Sequence, residues 1–80
     1  MPRTTNLNNK PPLGALIGKR LKEMGKQQKQ LAEEVGTSQI YLWQIINGRA
    51  TPTLAMLQRI AEPLDLDPVD LVAALLSRES

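Results

Sequence analysis

Side chains able to make paired hydrogen bonds or apolar contacts recur along residues 39–47 at a helical spacing. They stand at positions i, i+1, i+4, i+5 and i+8, on the side of a helix opposite Leu42 and Ile45; the residues are Gln39, Ile40, Trp43, Gln44 and Asn47. A glutamine amide donates and accepts together, so it can bond N6 and N7 of adenine at once, and an isoleucine can contact a thymine methyl group. The pattern of residues on this side therefore predicts a surface that contacts the edges of DNA bases. The alternative is an ordinary solvated helix face.

Two of these residues have a second interpretation that the sequence leaves open. Ile40 either contacts a thymine methyl group or fills space beside Gln28. Trp43 is the only tryptophan in a chain that has no phenylalanine. It either lies along the wall of the DNA groove and donates its indole N–H to a phosphate, or it folds back as a partial core residue.

The segment that carries this surface has the pattern of two short helices joined by a tight turn, Gly36-Thr37-Ser38. The first helix is predicted over residues 28–35 from its apolar inner face. The second is predicted over residues 39–47, with Ser38 as its N-cap and Gly48 after its end. This is the outline of a helix-turn-helix motif, which makes DNA the first candidate partner.

An earlier helix is predicted over residues 13–24, where apolar residues recur at helical spacing and Gly25 follows. Gly14 and Gly18 should weaken this helix by roughly 1 kcal/mol each relative to alanine, unless close packing compensates.

Two later helices complete the predicted fold. Thr51-Pro52-Thr53 is a helix-start signal, and Pro63 should break or kink the last turn of the helix that follows. The last helix is predicted from Pro68 to about Leu76, with Asp67 as its N-cap. No segment alternates with a two-residue period, so the fold class is all-α, a compact arrangement of five helices.

Charge is unevenly distributed along the chain. Residues 1–60 contain nine Lys or Arg against three acids, whereas residues 61–80 contain one Arg against five acids. A basic body with an acidic end suits a polyanionic partner on one side, although a solvated surface with chance clustering would look the same. We expect the folded domain over residues 13–76, between a flexible arm, residues 1–12, and a short tail, residues 77–80.

Several classes of site are excluded by composition. The chain has no cysteine and no histidine, so it offers neither a disulfide nor a Cys/His zinc site. It has no phosphate-cradling glycine loop, and we expect no enzyme, no metal and no cofactor. No apolar run approaches the roughly 18–20 residues of a membrane span, and the first twelve residues lack the apolar region of a secretory signal. An intracellular protein is expected.

A larger constellation of residues resembles the phage repressor and Cro-like helix-turn-helix domains, also called the Xre family, over about residues 13–76. The carrying residues are Gln28, Leu31, Ala32, Gly36, Ser38, Leu42, Ile45, Asn47, Gly48, Pro52, Leu54, Leu57, Ile60, Ala61 and Leu64. The resemblance implies a five-helix, lambda-repressor-like fold whose third helix enters the major groove. It also implies base reading by Gln39 and Gln44. Ile40 and Trp43 are base-reading candidates from their place on the same side of the helix, and at position 43 the family more often has a small or polar residue.

The same resemblance implies a set of residues on the DNA backbone. Gln28 would approach a phosphate and brace the third helix, Tyr41 would lie against phosphates, and Asn47 and Arg49 would grip the backbone after that helix. The remaining backbone candidates are Lys29, which flanks the second helix, and Ser38.

Two departures from the family pattern affect its packing. The family often pairs an arginine late in the first helix with a glutamate before Asn-Gly, and these positions hold Leu21 and Ile46 here. We expect these two apolar side chains to touch, since an apolar pair can replace a buried ion pair at little cost. Lys26 replaces a usual apolar residue before the second helix, where it could add unspecific attraction to DNA.

The function that follows is a sequence-specific regulator of transcription that binds double-stranded DNA. We expect a repressor that occludes a palindromic operator as a homodimer, at least when it is on DNA. The apolar residues of the last helix supply either the dimer contact or part of the monomer core. An autorepressing antitoxin and a protein-binding module on the same scaffold are the alternatives.

Overall fold

Five α-helices form the part of the chain that the computed structural model describes, residues 11–77. Their bounds are α1 (Pro12–Met24), α2 (Gln28–Val35), α3 (Gln39–Ile46), α4 (Leu54–Leu64) and α5 (Pro68–Ser77). The all-α prediction is confirmed. Helix α1 begins one residue earlier than predicted, at the last position assigned to the arm, and α5 takes in Ser77 from the predicted tail. The rest of the predicted arm and tail, residues 1–10 and 78–80, lies outside the described residues.

One apolar core takes side chains from all five helices. Its buried members are Leu13, Ile17, Leu21, Leu31, Ala32, Val35, Leu42, Ile45, Ile46, Leu57, Ile60, Ala61, Leu64 and Leu71. Leu42 and Ile45 enter the core from α3 as predicted, and Ile46 joins them. Burial of these three residues in so short a helix fixes which side of α3 faces outward.

Three helices begin at side-chain caps at predicted start signals. The hydroxyl oxygen of Ser38 accepts a hydrogen bond from the backbone N–H of Tyr41 (3.0 Å), and that of Thr53 accepts one from Met56 (3.1 Å). A carboxylate oxygen of Asp67 accepts one from the N–H of Val69 (3.0 Å) at the start of α5. Each cap satisfies a donor that the helix cannot, typically at a gain of about 1 kcal/mol.

The C-terminal end of α4 corrects one half of the prediction that Pro63 breaks or kinks its last turn, and the kink stays a prediction. Pro63 does not end the helix, which continues to Leu64 before Asp65 takes a left-handed conformation (φ 56°). Two cations from the α1–α2 region bind the last carbonyl groups: Lys26 Nζ donates to the carbonyl of Pro63 (2.9 Å) and Arg20 Nε to that of Leu64 (2.8 Å). These charged donors satisfy carbonyl groups that have no partner within the helix and complement the negative end of the helix dipole.

A close approach between α1 and α3 explains one of the two glycines in α1. A β-carbon on Gly14 would overlap the backbone carbonyl oxygen of Ile46, whereas one on Gly18 would meet no atom within 4 Å. Close packing therefore compensates at Gly14 but not at Gly18. Leu21 and Ile46 are both buried in the core cluster, and their direct contact stays a prediction.

Candidate nucleic-acid interface

The turn between α2 and α3 sets the direction of the recognition segment. Gly36 ends α2 at a φ of 85°, a left-handed conformation that costs glycine little. The backbone N–H groups of Gly36 and Thr37 both donate to the carbonyl oxygen of Ala32, each at 2.9 Å. Ser38 then caps α3. Every residue of the turn, Gly36, Thr37 and Ser38, thus takes part in a local hydrogen bond, and these bonds restrict the relative orientation of the two helices.

The outer side of α3 carries the side chains that the spacing predicts. Gln39 is exposed, and the exposed fractions of Ile40 and Trp43 are 72% and 44%. Gln44 and Asn47 are half-buried at the other end of the helix. The predicted outer face is therefore real, but its C-terminal end is partly covered.

A shallow groove between the start of α2 and the outer side of α3 is lined by Gln28, Gln39, Ile40 and Trp43. It brings three candidate base-reading residues together with the residue predicted to brace them. Ile40 lies in this groove together with Gln28 and is 72% exposed, and its contact with a thymine methyl group stays a prediction. Trp43 does not belong to the core cluster, so the alternative in which it folds back into the core is wrong.

The chain folds back on α3 directly after it ends. Gly48 has a φ of 75°, the backbone N–H of Arg49 donates to the carbonyl oxygen of Gln44 (2.7 Å), and Asn47 Nδ2 donates to that of Trp43 (2.9 Å). The Arg49 guanidinium consequently lies over the Trp43 ring, 5.5 Å from its centroid. Both residues are candidates from the sequence, but their spacing does not predict this contact. Its only sequence signal is Gly48, which allows the turn.

The other candidate backbone-binding residues differ in availability. Lys29 is exposed and makes no ion pair within residues 11–77. Ser38 is exposed and uses its hydroxyl oxygen as an acceptor, which leaves the hydroxyl proton free to donate. Tyr41 is half-buried and packs against the core. Lys29 and Ser38 are thus accessible to a ligand, and Tyr41 is partly committed to the fold.

Lys26 corrects the expectation that it adds unspecific attraction to DNA. Its Nζ atom forms an ion pair with Glu34 (2.7 Å) besides its bond to the Pro63 carbonyl, and its side chain is only 15% exposed. A lysine with its charge paired and two of its three N–H donors engaged within the protein has less to offer a phosphate than a free lysine has. It fastens the α1–α2 connection to the end of α4.

Two other kinds of feature, a metal site and a membrane-spanning helix, are not found within the described residues, 11–77. No group of His, Cys, Asp and Glu side chains in that range could hold a metal ion. None of its five helices has the length and apolar character needed to cross a membrane.

Comparison with known proteins gives two findings. A helix-turn-helix family profile matches residues 17–71, from Ile17 in α1 to Leu71 in α5. The ImmF control region 10 kDa protein of Bacillus phage phi105 is 44% identical over 55 residues, which cover 69% of this chain and 61% of that protein. The chain thus matches somewhat less than two thirds of that relative's length.

The matched range includes the turn through Gly36, the capped start of α3 at Ser38 and the outer face of α3. The family consists of DNA-binding regulators of transcription. On the extent of the family match, and on the geometry of α2 and α3, this chain belongs to the Cro/C1-type (Xre) helix-turn-helix family of DNA-binding proteins.

Proposed function

We propose that this protein is a sequence-specific transcriptional repressor that binds an operator in double-stranded DNA as a dimer and excludes polymerase by occlusion. One observation carries the proposal. The side-chain amides of Gln39 and Gln44, on the outer side of α3, have no hydrogen-bond partner within residues 11–77. The Gln39 amide, which lines the exposed groove, and the half-buried Gln44 amide, which lies outside that groove, therefore keep their donors and acceptors for base edges.

Base reading is assigned to the outer side of α3. Gln39 and Gln44 would each bond N6 and N7 of an adenine, and Ile40 would contact a thymine methyl group. Trp43, next to Ile40 in the groove lined also by Gln28, would lie along the groove wall. This division leaves discrimination between bases mainly to the two amides, because good bidentate contacts contribute about 1–3 kcal/mol each.

Backbone binding is assigned to the residues around α3. Arg49 and Lys29 supply charge that no acid within residues 11–77 neutralises. Ser38, Asn47 and Gln28 supply neutral donors at the ends of α3 and the start of α2, and Tyr41 is the aromatic candidate. Contacts of this kind position the protein on the duplex without reading its sequence.

The dimer is assigned to the outward face of α5. Leu71 is fully buried in the core, yet Val69 and Leu76 on the same helix are 68% and 64% exposed. Val69 also borders an apolar groove between α4 and α5, whose lining includes Leu54 and Val72. Helix α5 therefore serves the monomer core with one face and leaves a second apolar face for another copy.

The small area that one copy of the domain can contact on DNA also supports a dimer. A single small module contacts too little DNA for useful discrimination within a genome, so two copies on adjacent half-sites are required. The name of the phage phi105 relative places that protein in a control region, which supports a regulatory role for this chain.

The experiment is a protection assay on fragments of the genome that encodes the protein, followed by sedimentation of the protein with the protected fragment. We expect a two-fold symmetric footprint with half-sites roughly 34–36 Å apart, two protomers per site, and an affinity that falls steeply as salt rises. Absence of salt-dependent DNA binding would favour a module that binds only protein. An asymmetric footprint saturated by one protomer would refute the dimer.

A pair of variants tests the assigned dimer surface. Val69→Gln places a polar amide on the exposed face of α5. Ala55→Gln places the same amide at an exposed position of α4 that does not line the apolar groove. We expect the first variant to lose paired occupancy of the two half-sites and the second to retain it. Equal behaviour of the two variants would remove α5 from the interface.

A further inference from the structure

Trp43 and Arg49 form the one cation–π contact within the described residues 11–77. The guanidinium carbon lies 5.5 Å from the ring centroid, within the range of a favourable cation–π interaction. Both side chains are exposed, on the side of α3 assigned to DNA. The contact is therefore part of the surface that would meet the duplex.

Backbone geometry holds this pair together. Two donors of Asn47, its backbone N–H and its side-chain Nδ2, bond the carbonyl oxygen of Trp43, each at 2.9 Å. The backbone N–H groups of Arg49 and Ala50 both bond the carbonyl oxygen of Gln44, at 2.7 and 3.2 Å. With the backbone of Arg49 fixed relative to α3, the indole ring restricts where its long side chain can lie.

The Arg49 guanidinium has no hydrogen-bond acceptor within the described residues. A guanidinium carries five N–H donors, and no acid or carbonyl oxygen within residues 11–77 bonds the Arg49 side chain, so these donors stay available to a phosphate. A free arginine side chain loses much rotamer freedom when it binds. The contact with the indole ring already restricts the Arg49 side chain before DNA binds. Less freedom is then lost on binding, so Arg49 binds more strongly than an arginine without a ring contact would.

We propose that Trp43 is a positioning residue for Arg49, and that the two act on DNA as one unit. The ring holds the guanidinium beside the C-terminal end of α3 with its N–H edge directed at a phosphate next to the groove. This inference rests on the proposed DNA-binding function and adds a specific requirement to it. The affinity contributed by Arg49 depends on an aromatic ring at position 43 and on a planar cation at position 49.

The test is a double-mutant cycle measured on the protected DNA fragment, with Trp43→Leu, Arg49→Ala and the double variant. We expect the loss caused by Arg49→Ala to be about two- to fivefold smaller in the Trp43→Leu background. Trp43→Phe keeps the ring but removes the indole N–H, so it should restore most of the coupling. Arg49→Lys should lose part of it, because lysine cannot stack as a plane.

Lys29 supplies the matched control, since it is an exposed cation without an ion pair within residues 11–77 and has no ring contact. Lys29→Ala should combine additively with Trp43→Leu. Because Trp43 is the only tryptophan, the intrinsic fluorescence of the free protein should change in Arg49→Ala and stay unchanged in Lys29→Ala.

The outcomes separate this inference from the function on which it rests. Wild-type protein that binds DNA, with additive losses in the Trp43/Arg49 cycle and no advantage of phenylalanine over leucine, would overturn the positioning role alone. Wild-type protein without salt-dependent DNA binding would overturn the proposed function and the inference together.

Discussion

Replacement of Gly14 by alanine should destabilise the domain, although alanine is the better helix former. The added methyl group would occupy the place of the carbonyl oxygen of Ile46, the last residue of α3. That oxygen belongs to backbone and cannot rotate away as a flexible side chain would. Either α1 must move outward or the end of the recognition helix must shift.

The magnitude follows from two opposing effects. Overpacking of a close contact costs typically about 1–3 kcal/mol, whereas glycine to alanine within a helix gains up to about 1 kcal/mol. The gain is smaller here because Gly14 is the third residue of α1. We expect a net loss of roughly 1–2 kcal/mol, which corresponds to a fall in Tm of roughly 4–16 °C for a domain of this size.

Gly18 provides a matched control on the same helix. A β-carbon there would meet no atom within 4 Å, so Gly18→Ala should raise stability by about 0.5–1 kcal/mol through helix propensity alone. Thermal unfolding followed by circular dichroism measures both variants. Equal shifts of the same sign at the two positions would refute the account of how α1 packs on α3.

Two further variants separate stability from binding. Lys26→Ala removes the bonds to Glu34 and to the Pro63 carbonyl, so the free energy of unfolding measured in urea should fall by about 1–3 kcal/mol. The DNA affinity of the folded protein should not change. An unchanged unfolding midpoint with weaker DNA binding would show instead that Lys26 acts in DNA binding. Arg49→Ala should lower affinity for every DNA sequence and reduce the slope of log affinity against log salt by about one, and a slope equal to that of wild type would exclude a phosphate contact.

Local signals account for what the sequence predicted well. Apolar spacing located the core faces, and the caps Ser38 and Asp67 located two helix starts, because both effects act within a few residues of chain. The outer face of α3 followed from the same spacing, since Leu42 and Ile45 on the core side determine what remains outside. In a short helix with a predicted cap, the core-facing apolar residues therefore also identify the exposed positions.

Contacts between distant residues account for what the sequence did not predict. Lys26 looked like a free surface cation because its partner carbonyl belongs to Pro63, in another helix. Pro63 predicts a break or a kink in the last turn of α4. The helix is not broken there, since it continues to Leu64 and its last carbonyl groups are bound by Lys26 and Arg20. The Trp43–Arg49 contact crosses the end of a helix, where side-chain spacing rules no longer apply.

The outer side of α3 is the surface assigned to reading base pairs. The direct measurement compares the affinities of Gln39→Ala and Gln44→Ala for the protected site, and for copies of it with single base pairs exchanged, at fixed salt. Gln30→Ala, an exposed glutamine on α2 that does not line the groove, serves as the control. We predict that each α3 variant loses about 1–3 kcal/mol on the protected site, becomes indifferent to one base pair, and keeps its affinity for random DNA, while Gln30→Ala behaves as wild type. Unchanged affinity and unchanged base preference in both α3 variants would contradict the assignment of α3 as the reader.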